Sequence, residues 1–330
     1  MSITLVGPGK IDDAARRLAG IAIRTPLLPA PWIHELMNGS SDNDEEGENG
    51  PLIQSEIRLK CENLQHGGSF KIRGAYAMIA GLTESARRRG VITYSSGNHG
   101  QAVALAARAY GVPATVVMPK GAPKIKVEAT ERLGAEIIFE GTTSLQRKER
   151  AEEIASERRA TIIPPFDNLE VIAGQGTVGK EIIEEWSEVD AVLVPIGGGG
   201  LISGVAAWIK RVKPDCQVIG VEPANTPSMK RSLEEGEPTT IRRRKTVADG
   251  LAVIRPGDLT FQHVRELVDE IVTVDDAAIE EAAEAYLDRA RLVVEHSGAA
   301  TAAALLSGRW NPEGRRTVLV VSGGNWRVGR

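Results

Sequence analysis

The chain has 330 residues, of which 42% are hydrophobic, 25% charged and 4% aromatic, and its net charge is -4. That suffices for two compact domains of a soluble globular protein, and it supplies neither the basic surplus nor the stacking rings of a nucleic-acid binder. Two distant cysteines, Cys61 and Cys216, argue against a disulfide scaffold or a zinc site and fit a reducing cytoplasm, and no apolar run or signal pattern points to a membrane.

Residues 11–22 carry the spacing of an amphipathic helix, which Arg24-Thr25-Pro26-Leu27 ends. Residues 40–50 are acidic and rich in Gly and Ser, with no apolar side chain, so they are expected to form a solvated loop. Their ligand spacing is wrong for a calcium loop. Residues 57–61 read as a strand. Gly67-Gly68-Ser69 then makes a sharp turn that can cap a helix starting near Phe70. Lys71 falls in the first turn of that helix, where the positive end of the dipole disfavours a cation. Such a place suits a lysine meant to be neutral or condensed with a carbonyl. On this turn alone, an ordinary exposed lysine is the simpler reading.

From residue 90 the pattern alternates. Strands are expected at 90–94, 114–118, 135–139 and 161–163, and helices at 101–110, 124–133 and 144–159. A second series has helices at 176–186, 202–210, 275–291 and 299–306, with strands at 190–196, 217–221, 271–274 and 317–321. Strands alternating with helices of this length predict an α/β fold of two domains. Each is an open, twisted, mostly parallel sheet flanked by helices. The expected division is a large domain of 1–85 and 168–330 and a small domain of 86–167. Ligands bind such sheets at the strand C-terminal ends.

Two turns at such ends carry chemistry. Gly197-Gly198-Gly199-Gly200, between a buried strand and a helix, can bare several N–H groups as an anion nest. It matches neither a Walker loop nor Gly-x-Gly-x-x-Gly, and its competitor is a tight packing turn. Ser95-Ser96-Gly97-Asn98-His99-Gly100-Gln101 sets hydroxyl, amide and imidazole groups at a helix start, suited to a carboxylate and a ring oxygen. A monophosphate nest, a reactive lysine and a carboxylate cradle, with no metal cluster, suggest pyridoxal 5'-phosphate.

The sequence resembles the pyridoxal-phosphate enzymes of the tryptophan-synthase-β fold group (fold type II), and within it the threonine/serine dehydratases and serine racemases. The resemblance runs from about Arg24 to Asn325. It rests on Gly-Ser-Phe-Lys-Ile-Arg-Gly-Ala at 68–75, Ser-Ser-Gly-Asn-His-Gly-Gln at 95–101, Ile-Ala-Gly-Gln-Gly-Thr at 172–177, Pro-Ile-Gly-Gly-Gly-Gly-Leu at 195–201, Ala-Asp-Gly at 248–250 and Ser-Gly-Gly-Asn at 322–325. It implies that the cofactor lies in the cleft between the domains, that Lys71 holds it as a Schiff base and that Lys71 is the base at Cα. It places Phe70 near the ring, Asn98 on the ring hydroxyl, Gly197 to Leu201 on the phosphate and Ser322 at the pyridine nitrogen. It assigns Ser69, Ser96, Asn98 and His99 to the substrate carboxylate, and Ser96 to a second proton carrier if the enzyme racemises.

The sequence departs from the family in places. Gly67 stands where a threonine is usual, and Glu295-His296-Ser297-Gly298 replaces Glu-Pro-Ser-Gly, so that His296 either touches the site or replaces a turn proline. Glu222 opens the metal-binding turn of racemase-like members, but their aspartate falls at Ser228, and no metal is expected. The expected activity is dehydration of L-threonine, L-serine or a related β-hydroxy amino acid to a 2-oxo acid and ammonia, in a cytoplasmic homodimer without nucleic-acid or membrane partners. The alternatives are an amino-acid racemase and a cofactor-bound regulatory protein without turnover.

Overall fold

The computed structural model describes residues 5–37, 55–95, 97–122 and 124–326; the acidic run 40–50 and Ser96 lie outside them. Ten strands are seen among these residues: β1 (Leu27–Pro29), β2 (Ile57–Cys61), β3 (Val91–Thr93), β4 (Ala114–Met118), β5 (Glu136–Phe139), β6 (Thr161–Ile162), β7 (Ala191–Pro195), β8 (Gln217–Pro223), β9 (Glu270–Val274) and β10 (Thr317–Val321). They form a six-stranded sheet in the order β1-β2-β10-β7-β8-β9 and a four-stranded sheet in the order β5-β4-β3-β6. Every pairing is parallel except β1 with β2. The fold is therefore α/β, with two mostly parallel sheets flanked by helices.

All five residues of β7 and all five of β10 are buried, as expected of strands covered on both faces. Period-two alternation sends their side chains to opposite cores. Val192, Val194, Val318 and Val320 join one core with Ile202 and Val205. Leu193, Leu319 and Val321 join the other, with Tyr286 and the alanines of the helix His296–Leu306.

The longest helix, Leu169–Glu185, begins seven residues before the expected start at 176. Asn168 fixes that start, its side chain accepting the N–H groups of Glu170 and Val171 at 2.8 and 3.3 Å. Gly174 and Gly176, which look like breakers, lie inside the helix where other backbones press on it. A Cβ on Gly174 would strike the backbone of Arg73 and Gly74, and one on Gly176 would meet Ile11 and the Gly204 carbonyl. Glycine spacing thus lets the helices Lys71–Gly81 and Gly200–Val212 approach this central helix closely. The helices Trp32–Met37, Glu84–Arg89, Ser228–Glu235 and Asp258–Leu267, and the strand β1, have no counterpart in the sequence expectations. The first three helices have six, six and eight residues, too few to show a period. No described helix is long and apolar enough to cross a membrane.

Candidate active site

The neighbouring strands β2, β10 and β7 run parallel, and the segments leaving their C-terminal ends meet. After β10, the Ser322 carbonyl accepts the Phe70 N–H at 3.2 Å, and Gly323 pairs with Ser69 in an antiparallel bridge. These two contacts fix the turn that carries Lys71. Phe70 occupies the N-cap of the helix Lys71–Gly81 with no side-chain cap. The expected serine cap is not formed, because Ser69 is held in extended backbone by the bridge.

Lys71 is the first residue of its helix, and its Nζ donates to the Pro165 carbonyl at 2.9 Å. Burial pulls the amine down to about 8, against the opposing pull of the Glu295 carboxylate. Phe166, next to Pro165, rests on the glycine turn after β7: a Cβ on Gly198 would overlap its ring, and one on Gly200 would press on its Cα and Cβ. Gly199 adopts φ +92, a left-handed backbone that favours glycine, and a Cβ there would meet Met229 and Thr260. The glycines therefore answer to packing. Yet none of the N–H groups of Gly197, Gly198, Gly199 and Gly200 donates to a described acceptor, although the last three residues are buried. Buried donors left open at the start of the helix Gly200–Val212 are chemically suited to an anion. The turn is braced from below, where Thr260 Oγ1 donates to the Gly198 carbonyl at 2.6 Å. Asp167 in turn accepts the N–H groups of Asp258, Leu259 and Thr260 at 2.9–3.1 Å.

The smaller sheet contributes the segment after β3. The helix Asn98–Tyr110 starts three residues earlier than expected, so Asn98 and His99 lie in its first turn. Asn98 Nδ2 donates to Glu295 Oε1 at 2.7 Å, and Asn98 Oδ1 accepts from Asn325 Nδ2 at 2.9 Å. His99 is buried, with Nε2 2.9 Å from the Ile163 carbonyl. Burial and the nearby Lys71 push its imidazole down to about 3. The ring is neutral, Nε2 carries the proton, and Nδ1 is an acceptor with no partner among the described residues. Ser322 is buried just beyond β10. Lys71, Phe70, Ser69 and Ser322 thus converge at one sheet edge with the glycine turn 197–200 and Leu201, while Asn98 and His99 approach from the other sheet. Ser96 is outside the described residues.

Three features were missed or left open by the sequence. Glu295, seen there only as part of an altered motif, is partly buried where Asn98, Asn325 and Lys71 meet, and desolvation pushes its carboxyl up to about 7. His296 is the first residue of the helix His296–Leu306, and its ring packs against Trp326 at 5.1 Å between centroids. Behind Lys71 lies a buried ionic cluster. Arg73 binds both oxygens of Glu62 at 2.8 Å and both of Glu181 at 2.6 and 2.8 Å. Lys60 Nζ reaches Glu181 and the Thr25 carbonyl, each at 2.7 Å. Glu181 lies 108 residues from Arg73, and no local pattern joins the two. Elsewhere, both oxygens of Glu222 accept N–H groups, from Met229 at 2.8 Å and Lys230 at 2.9 Å. No cluster of three metal-ligating side chains occurs among the described residues.

An amine held partly neutral, an open N–H nest for a phosphate and a carboxylate-scale polar turn between two parallel sheets fit pyridoxal phosphate. The profile described as "Pyridoxal-phosphate dependent enzyme" matches residues 23–323, and the chain belongs to the fold type II pyridoxal-phosphate enzymes, in the threonine dehydratase and serine racemase family. It is 44% identical over 315 residues to the L-threonine ammonia-lyase of Thermotoga maritima, covering 96% of this chain and 74% of that protein. It is 43% identical to the catabolic L-threonine dehydratase TdcB of Escherichia coli K12, covering 100% of this chain and 97% of that one. Among solved structures, maize serine racemase superposes with a TM-score of 0.90 at 35% identity, over 99% of this chain and 97% of that one.

Proposed function

We propose that the protein is a pyridoxal-phosphate-dependent ammonia-lyase that converts L-threonine, and L-serine, to the 2-oxo acid and ammonia. The observation that carries this reading is Lys71: a half-buried lysine with a lowered pKa, fixed beside an open N–H nest. The similarity to L-threonine lyases along the whole chain supports the choice of substrate.

In this reading the cofactor sits in the cleft between a large domain of 1–85 and 168–330 and a small domain of 86–167. Lys71 would hold it covalently, Gly197 to Leu201 would take its phosphate, Phe70 would flank the ring, Asn98 would meet the ring hydroxyl and Ser322 would face the ring nitrogen. When bound, the cofactor supplies an electron sink for the substrate amine. Ser69, Ser96, Asn98 and His99 hold the substrate carboxylate and so orient its Cα–H toward Lys71. The neutral Lys71 amine takes that proton and gives a proton back to the departing β-hydroxyl, which leaves as water. The released enamine shifts a proton to its β-carbon to become the imine, which adds water and expels ammonia; the water lost and the water gained cancel, leaving the 2-oxo acid and ammonia. Ser322 at the ring nitrogen would donate a hydrogen bond to a neutral ring, which would be a weaker electron sink than a protonated one. A cytoplasmic homodimer is part of the same proposal, and its two cysteines are free and buried.

Incubation of the purified, cofactor-loaded protein with L-threonine should yield a 2-oxo acid and ammonia, and Lys71→Ala should abolish turnover and the visible band of the lysine-bound cofactor. Turnover at the parent rate in Lys71→Ala would overturn the reading. The structural likeness to a serine racemase supports a second activity. Chiral chromatography of the L-serine reaction decides between them: D-serine forming faster than pyruvate would make racemisation the main reaction.

A further inference from the structure

We infer that Glu295 is a positioning residue that sets the Asn98 amide, and with it the first turn of the helix Asn98–Tyr110, against the edge of the larger sheet. The inference rests on the assignment of Asn98 to the cofactor ring hydroxyl. Both ends of that amide are already tied within the protein. Nδ2 donates to Glu295 Oε1 at 2.7 Å and Oδ1 accepts from Asn325 Nδ2 at 2.9 Å. The two bonds fix which end of the amide is oxygen and which nitrogen, and leave one N–H for an outside acceptor. Asn325 is itself fixed, since its Nδ2 also donates to the Gly67 carbonyl at 2.8 Å. The result is a chain of hydrogen bonds from the turn before Lys71, through Asn325 and Asn98, to Glu295.

Glu295 has little freedom to sit elsewhere. Its N–H donates to the Gly323 carbonyl at 3.1 Å, and its own carbonyl accepts the Gly298 N–H at 2.7 Å. A Cβ on Gly323 would strike Glu295 Oε1 and lie 3.2 Å from Asn98 Nδ2, so a glycine there makes room for the contact. Lys126 and Asp249, 3.6 Å apart and drawn from opposite sides of the cleft, lie near the same carboxyl. Neither the family motif nor the spacing of the chain brings these residues together; the crossing of the two sheets does.

The test uses cofactor-loaded protein and reads pyridoxal phosphate affinity by absorbance titration, together with kcat and KM for L-threonine. Glu295→Ala should weaken cofactor retention and lower kcat by about tenfold each, the worth of one hydrogen bond to a charged group, with a smaller change in KM. Glu295→Gln keeps an acceptor at Oε1 and should recover both to within about threefold of the parent. Asn325→Ala, which frees the other end of the amide, should move the same readouts in the same direction. Cofactor affinity within twofold of the parent in Glu295→Ala would overturn the inference, as would a Glu295→Gln variant no better than alanine. If Glu295→Ala unfolds, the glutamine and Asn325→Ala variants still decide it. An inactive parent would refute the lyase reading, whereas cofactor affinity would still report on Glu295.

Discussion

At the scale of single residues, Lys71 does two things that an exposed lysine cannot. Burial costs its charged form free energy, so its pKa falls to about 8, and about a tenth of the amine is neutral at pH 7. An ordinary lysine would be neutral to less than about one part in a thousand. Only the neutral amine attacks an aldehyde. The rate at which cofactor-free protein captures pyridoxal phosphate should therefore rise about tenfold per pH unit below pH 8 and level off above it. Stopped-flow absorbance between pH 6 and 10 checks this, and a rate still climbing tenfold per unit at pH 10 would refute it. The position of Lys71 was legible because two glycines and a serine mark a turn locally. The carbonyl that accepts its hydrogen bond was not, since Pro165 is 94 residues away. His99 stood out in the sequence for its neighbours, but its bond to Ile163 and its neutral state follow from burial between elements that no local pattern relates.

The aim of Lys71 is set by the element that carries it. Two residues along the helix Lys71–Gly81, Arg73 is 1% exposed and spends its donors on Glu62, Glu181, Thr177 and the Ile23 carbonyl. Glu62 follows β2 and Glu181 lies on the central helix, so one guanidinium joins three elements. The cluster holds two carboxylates, an arginine and a lysine, and its charges balance. Removing one member leaves an uncompensated buried charge, which costs about 3–5 kcal/mol. Arg73→Leu should lose that much in a urea titration, and it should loosen cofactor retention because the Lys71 turn loses its anchor. Arg73→Lys cannot make the two-pronged contacts and should fall between. A loss below about 1 kcal/mol would show the cluster to be dispensable. Strands and their glycine turns were readable because β-branched runs and turn residues are local signals, and residues 57–61 and 317–321 coincide with β2 and β10. The start of the helix Leu169–Glu185 was not, because Gly174 and Gly176 serve contacts with other helices rather than a turn.

Across the whole molecule, the buried ionisable groups set how stability responds to acid. His99 is pushed down to about 3, and His263 is also lowered by burial. His263 is held as a neutral ring that accepts the Val6 N–H at 2.8 Å and lies 2.7 Å from the Leu259 carbonyl. Their unfolded forms take up protons below about pH 6.5 before the folded ones do, so each destabilises the fold as pH falls, His99 by about 1.4 kcal/mol per unit down to about pH 3. Glu222 and Glu295 work the other way. Burial raises both to about 7, so the folded protein binds their protons first, and each stabilises the fold as pH drops toward the ordinary carboxylate value near 4.5. Between pH 6.5 and 4.5 the two carboxyls oppose the two histidines, His99 across the whole window and His263 until its own lowered pKa is reached. Below that both carboxyls are protonated in either state and their contribution stops changing. The His99 contribution persists, and Glu62, held low by Arg73 despite its burial, adds to it. The melting temperature of the cofactor-free protein should therefore change little from pH 6.5 to about 4.5 and fall steeply below. Glu222→Gln removes one compensating carboxyl, so its melting temperature should already decline within that window. Calorimetry across pH 3.5–7 checks both, and a parent curve that falls evenly from pH 7 with no change of slope would refute the balance.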